Sequence, residues 1–252
     1  MRLPILTYHS IDRGGSVIST HPDTFREQVE FFSRSGYRCL TLTEAGALLR
    51  GEAAGAGRAL VITFDDGFRS VYREAWPILR ACGYRATVFL VTDRIGTWSS
   101  WIRESEGIPA MPLMDLSEIA ELAGAGWELG GHSATHPDLR SLDEHLVNGE
   151  LERCLAAVRA ASGQAAAWFA YPYGASDRRV RDAVAHYFAG ACGTVLGVAS
   201  NRSDVYALER IEMYYLRSAP VYRSLDSLQF RAYITLRRWL HSARPYRPPG
   251  GQ

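Results

Sequence analysis

"ALVITFDDGFRS", Ala59 to Ser70, runs a short apolar and β-branched stretch into two adjacent carboxylates and a glycine. Such a run reads as a buried strand. Side chains alternate between faces along a strand, so Asp65 and Asp66 reach one place only where the strand is ending. Gly67 supplies the backbone freedom for that exit. Two crowded carboxylates repel, and the pKa of one rises unless a cation neutralises the pair. The arrangement therefore asks for a metal ion or an acid–base task. A strand followed by an ordinary Asp-Gly turn fits the same residues equally well.

Outward from this stretch, short β-rich runs alternate with helical patterns. The expected strands are Ile5–Ile11, Tyr37–Leu42, Ala59–Phe64, Ala86–Thr92, Trp127–Gly131, Ala166–Ala170 and Gly190–Leu196, with an eighth over Ala207–Tyr215. Between them lie helical stretches such as "PDTFREQVEFFSRSG", "SVYREAWPILRACG", "MDLSEIAELAGAG", "SLDEHLVNGELERCLAAVRAASG" and "SDRRVRDAVAHYF". Several open near Ser or Asp and close on Gly, as capping chemistry prefers. Strands alternating with helices imply βαβ units and parallel pairing, and about seven to eight such units favour a closed α/β barrel over an open sheet. Residues 1–241 read as one barrel domain and 242–252, Pro- and Arg-rich, as a disordered tail.

Composition narrows the chemistry. At 252 residues the chain can bury a large core, and a net charge of +1 argues against a dedicated nucleic-acid binder. All 28 basic residues are arginines. Schiff-base, pyridoxal-phosphate and P-loop chemistry each need a lysine, so all are excluded. Cys39, Cys82, Cys154 and Cys192 form no C-x-x-C pair and read as buried thiols in a reducing compartment. The opening "MRLPILTYHSI" has too short an apolar core for a signal peptide, and no run reaches the length of a membrane span. A cytoplasmic protein is the expectation.

In α/β barrels chemistry collects on the loops after the strands. Polar residues end four of the apolar strands: His9 after "PILTY", Asp65 and Asp66 after "VITF", His132 after "WELGG", and Tyr173 after "WFAYP". "HSATH" places His132 and His136 at i and i+4, where both reach one ion if the segment is a tight loop or helical turn. Two imidazoles with a carboxylate are a common metal set. Alone, H-x-x-x-H occurs by chance; beside an Asp-Asp pair on another strand end it is a strong signal.

Together "TFDDG", "HSATH" and "YPYG" resemble the polysaccharide deacetylase family, carbohydrate esterase family four. The resemblance covers Ile5 to about Tyr215. It implies a distorted (β/α) barrel and a metal-dependent hydrolase that removes N-acetyl groups from aminosugars. It further implies that Asp65 is the general base, that Asp66, His132 and His136 hold a divalent ion such as Zn²⁺, and that the Tyr173 backbone N–H helps hold the oxyanion. Two departures stand out. The family's R-x-P-Y-G is here Ala170-Tyr171-Pro172-Tyr173-Gly174, so the arginine that braces the base is missing, and Arg210 in "ALERIEM" is the candidate replacement, with a surface arginine as the alternative. No late L-x-L-H segment supplies a leaving-group histidine; "LTYHSI" resembles the permuted exopolysaccharide deacetylase branch, which makes His9 the candidate general acid.

Trp98 and Trp101, in the long connection "GTWSSW", stack on sugar faces or form a lid, and Tyr171 is a further candidate sugar contact. His21, His145, His186 and His241 lie in or beside helical stretches and read as structural. "FRAYITLRRWL" is basic and amphipathic, compatible with contact to an anionic membrane surface or with a final barrel helix carrying solvated arginines. The expected activity is deacetylation of an N-acetylated aminosugar on a small or carrier-linked scale. Removal of a formyl group or opening of another amide is the nearest alternative. A carbohydrate-binding protein on a silenced barrel is the alternative of another class.

Overall fold

The computed structural model of the chain describes residues 2–53, 55, 57–101 and 108–242. Of the expected tail, residues 243–252 lie outside the described residues. The parallel barrel implied by the strand–helix alternation is present. Its wall runs in the order Ile5–Tyr8, Leu208–Glu212, Gly190–Leu196, Trp168–Ala170, Glu128–Gly131, Thr87–Leu90 and Ala59–Phe64, and the last pairs back onto the first through Ile5↔Val61 to Tyr8↔Phe64. Seven strands therefore close the barrel. The eighth, Arg38–Leu40, pairs only with the first half of Ala59–Phe64, while Thr87–Leu90 pairs with the second half. That uneven sharing of one strand is the distortion of the barrel.

Ala59–Phe64 is buried at every position because it has packed layers on both faces. Leu60, Ile62 and Phe64 belong to the core under the surrounding helices, whereas Val61 packs with Ile5, Phe89, Trp168 and Cys192 in the barrel interior. Each fully buried aliphatic or phenyl side chain contributes about 1.5–3 kcal/mol. Trp168 fills the lower interior, and Gly190 makes room for it: a Cβ there would sit 2.4 Å from the indole ring. The same two-residue phase that turns Val61 and Thr63 inward turns Asp65 inward at the top of the barrel. The site is thus the uppermost layer of the barrel interior.

Several element boundaries differ from expectation, for local reasons. His9 leaves the ladder, so the first strand is Ile5–Tyr8 followed by a separate pair at Ser10–Ile11. Tyr37–Leu42 shortens to Arg38–Leu40 because Thr41 and Glu44 form a capping box that starts an unanticipated helix, Leu42–Arg50. "SVYREAWPILRACG" begins as a π-turn at Val71–Ala75 and becomes α-helical at Trp76–Ala81, where Pro77 sits in the first turn and needs no backbone donor. His21 caps Pro22–Arg34, its ring nitrogen accepting from the Asp23 N–H. All four cysteines are free, but only Cys154 and Cys192 are buried; Cys39, on the extra strand Arg38–Leu40, and Cys82, at the end of Trp76–Ala81, are half-buried because packing is incomplete at both places. No described helix is long and apolar enough to cross a membrane.

Candidate active site

Asp65 makes the last ladder bond of its strand, its N–H donating to the Tyr8 carbonyl at 3.0 Å. Its carboxylate then meets Arg210, which points inward from Leu208–Glu212. Arg210 donates from Nη1 to Oδ1 and from Nη2 to Oδ2, both at 2.7 Å. Its Nε donates to the Gly193 carbonyl at 2.9 Å. That carbonyl is available because Gly190–Leu196 bulges against its neighbour: Cys192 faces Leu208, yet Leu196 faces Arg210. Arg210 and Asp65 are 2% and 3% exposed, so the pair is desolvated. Burial alone would push the Asp65 carboxyl up, but the Arg210 guanidinium overrides it and holds the group below the usual carboxylate range.

Asp66 follows with φ 71°, a left-handed backbone that swings its carboxylate onto the same cavity as Asp65. Two neighbours thus reach one site through a turn that begins at Asp66 itself, one residue before Gly67. Asp66 Oδ1 lies 3.4 Å from His132 Nε2 and 3.4 Å from His136 Nε2. Those separations are long for strong hydrogen bonds. They match the edge of a tetrahedron of ligands, about 3.3–3.6 Å for donors about 2.0–2.2 Å from one ion. The three donor atoms lie within 4.8 Å of one another, all on buried residues, and the set fits a divalent cation.

The ligands are held from behind. His132 Nδ1 lies 2.7 Å from the Ala170 carbonyl, which can only accept, so the proton is on Nδ1 and Nε2 keeps its lone pair for the cavity. The ring of His136 stacks on Trp101 (centroids 4.8 Å, 24°) and meets Tyr173 edge-on at 4.6 Å. Between the histidines, Ser133 and His136 both have positive φ, and Ser133 Oγ accepts from the His136 N–H at 2.9 Å. Buried Glu150, on the helix Glu144–Ser162, clamps this loop. It accepts from the Ala134 N–H (3.0 Å), the Thr135 N–H (2.9 Å) and the Thr135 hydroxyl (3.0 Å). Burial would raise the Asp66 carboxyl, yet the two imidazoles bring it far below the ordinary range.

His9 lines the same cavity, and its Nδ1 lies 3.6 Å from Glu212 Oε2. Burial raises the Glu212 carboxyl above its ordinary value. Sequence reading missed both acidic partners. Glu212 was signalled by its position two residues after Arg210, on the same face of the strand; Glu150 carried no signal, being one of several acids on a long helix. The cavity, about 170 Å³, is also lined by Asp65, Asp66, Trp101, Tyr173 and Thr194. That is below the roughly 300–1,000 Å³ of a full ligand pocket, so it admits the end of a substrate. Tyr173 has φ 58°, and Gly174 lies so close to Thr194 that a Cβ would approach its side chain to 2.0 Å. Of the candidate sugar contacts, Trp101 is at the cavity. Trp98 does not line it: the antiparallel bridge to Pro112 holds it outside, 58% exposed. Tyr171 gives only a ring to the wall, because its hydroxyl donates to the Tyr206 carbonyl at 2.8 Å.

Residues 53–188 match the family model described as polysaccharide deacetylase. The putative polysaccharide deacetylase YxkH of Bacillus subtilis is 26% identical over 213 residues, covering 84% of this chain and 71% of that protein. The poly-β-1,6-N-acetyl-D-glucosamine N-deacetylase of Escherichia coli is 27% identical over 96 residues, 37% of this chain and 14% of that one. Among solved structures, the Streptococcus pyogenes deacetylase PplD in complex with acetate superposes with a TM-score of 0.75 at 23% identity, over 84% of this chain and 92% of that chain. IcaB from Ammonifex degensii superposes with a TM-score of 0.74 at 22% identity, over 91% and 97%.

Proposed function

This chain belongs to the polysaccharide deacetylase family, and from that premise we propose an N-deacetylase that uses Zn²⁺ and acts on a small or carrier-linked aminosugar in the cytoplasm. The enzyme is a metal-dependent amide hydrolase active on an N-acetylated sugar. The observation that carries the hydrolase reading is the division of labour between adjacent carboxylates: Asp65 is occupied by Arg210, and Asp66 by His132 and His136.

A cation held by Asp66, His132 and His136 would supply Lewis-acid polarisation and a water acidic enough to lose its proton near neutral pH. Asp65 accepts that proton, kept ionised and oriented by the two Arg210 hydrogen bonds. The Tyr173 N–H is the donor assigned to the negative charge that develops on the acetamide oxygen, a contribution of the kind worth about 2.7–4 kcal/mol. His9, with Glu212 Oε2 3.6 Å from its Nδ1, gives a proton to the departing nitrogen, which leaves poorly as an anion. The small cavity suits an acetamido group with the sugar outside it. Free thiols at Cys39, Cys82, Cys154 and Cys192 accord with a reducing compartment.

The test is acetate release by Zn²⁺-loaded protein from N-acetyl sugars offered free, nucleotide-linked, lipid-linked and as a hexamer. Highest efficiency on a carrier-linked sugar supports the reading. A steep rise with chain length makes polymer the substrate, and formate in place of acetate from matched N-formyl sugars makes the enzyme a deformylase.

A further inference from the structure

Nine large hydrophobic side chains are exposed among the described residues. Five of them share one end of the barrel: Val17, Trp98, Tyr173 and Tyr215 lie in the connections that follow four different barrel strands, and Val195 lies in the last residues of a fifth. Parallel strands put all those ends on one face, the face that holds the site. Ile18, Tyr173 and Thr194 line the cavity itself, and Val17 and Val195 are the exposed chain neighbours of two of them. Gly174 packed on Thr194 joins the Tyr173 turn to the Val195 bulge. The Arg237 guanidinium, 5.0 Å from the Tyr215 ring, brings the helix Leu228–Ser242 to the same rim. Arg217 stacks 3.7 Å over Tyr214 beside it.

A hydrated sugar polymer is met by stacking rings and hydrogen-bonding groups. Val17 and Val195 offer neither, and aliphatic side chains held in water around a site mouth mark an interaction surface. Charge names the partner. Residues 213–252 carry seven arginines and one aspartate in a chain of net charge +1, so the rest of the chain is net acidic. Aliphatic, Trp and Tyr side chains flanked by arginines are the composition of a surface that lies in a lipid headgroup layer.

We propose that the catalytic face docks on an anionic lipid bilayer, with the apolar rim in the headgroup layer and Arg217 and Arg237 on the anionic heads. The cavity then opens toward an aminosugar carried on a lipid. The inference rests on the deacetylase reading and deepens it by naming how the substrate is presented.

The experiment is co-sedimentation of the full metal-loaded chain with phosphatidylcholine vesicles and with vesicles of phosphatidylcholine mixed with phosphatidylglycerol. Binding to the mixed vesicles that weakens with salt is expected. Val17→Glu with Val195→Glu should weaken it by about tenfold or more, and Arg237→Glu with Arg238→Glu should flatten the salt dependence. Both double variants should keep wild-type acetate release from a soluble N-acetyl sugar. No preference for anionic vesicles, or equal binding by the valine variant, overturns the proposal. So does a valine variant whose loss of activity grows with the length of a soluble oligosaccharide, because the rim is then a polymer platform. Failure of the deacetylase reading shows separately, as no acetate from any soluble sugar with wild-type protein.

Discussion

Arg210→Met isolates the buried ion pair at the centre of the site. The substitution keeps a long unbranched side chain, so the cavity left behind is small, but it removes both 2.7 Å hydrogen bonds from Asp65 and the donor to the Gly193 carbonyl. Breaking one partner out of a buried pair is destabilising by about 3–5 kcal/mol, because a charge is left without compensation. In a domain of this size each kcal/mol moves Tm by about 2–4 °C, so a fall of roughly 6–20 °C is expected. Asp65→Asn with Arg210→Met should be more stable than Arg210→Met alone, since the orphaned charge is gone. The sign of the pH dependence follows. In the wild type the Asp65 carboxyl is held below its unfolded value, so its stabilisation is present above that value and is lost as pH falls through the folded one. Without Arg210, burial dominates and the folded carboxyl rises, so the variant loses stability as pH increases. The Tm gap therefore widens from acid to neutral pH, and the acid limb of the rate profile moves upward. Calorimetry of the wild type, both single variants and the double variant measures this. A double variant no more stable than Arg210→Met would refute the ion-pair argument.

Loss of one ligand should empty the metal site: Asp66→Ala and His132→Ala should lose bound ion in a metal assay, whereas Asp65→Asn should keep it and lose turnover. His9→Ala should lower kcat by roughly 10²–10⁴ with metal content unchanged, and a substrate with a better leaving group should recover most of the loss. Glu150→Ala should weaken metal affinity by about 10–100-fold by freeing the Ala134 and Thr135 amides, with Glu150→Gln intermediate; an affinity unmoved in both variants would show that the loop holds itself.

How much of this was legible follows one rule, the two-residue phase of a strand. The barrel came from alternating strands and helices. Asp65, His9 and His132 came from strand ends, and Arg210 from the absence of the family's usual arginine at Ala170 together with its place near the end of the last strand. Glu212 obeys the same phase and was available to that reasoning. What the sequence hid is backbone conformation. The described non-glycine residues with positive φ are Asp66, Ser133, His136 and Tyr173, and each belongs to the site or to its clamped loop. Such conformations run against local preference by about 1–3 kcal/mol each, so no propensity argument proposes them, and they persist only where the surroundings over-determine them. At Ser133 and His136 the surroundings are Glu150 and the Ser133 hydroxyl; at Tyr173 they include the close contact of Gly174 with Thr194. The turn at Asp66 is the instructive one. The tripeptide Asp65-Asp66-Gly67 invites an ordinary turn at Gly67, but that turn would leave the second carboxylate pointing away from the first. Starting the left-handed backbone one residue earlier brings two like charges into one cavity, which is tolerable only because each faces its own counter-group: Arg210 for Asp65, and the paired imidazoles with the cation they can hold for Asp66.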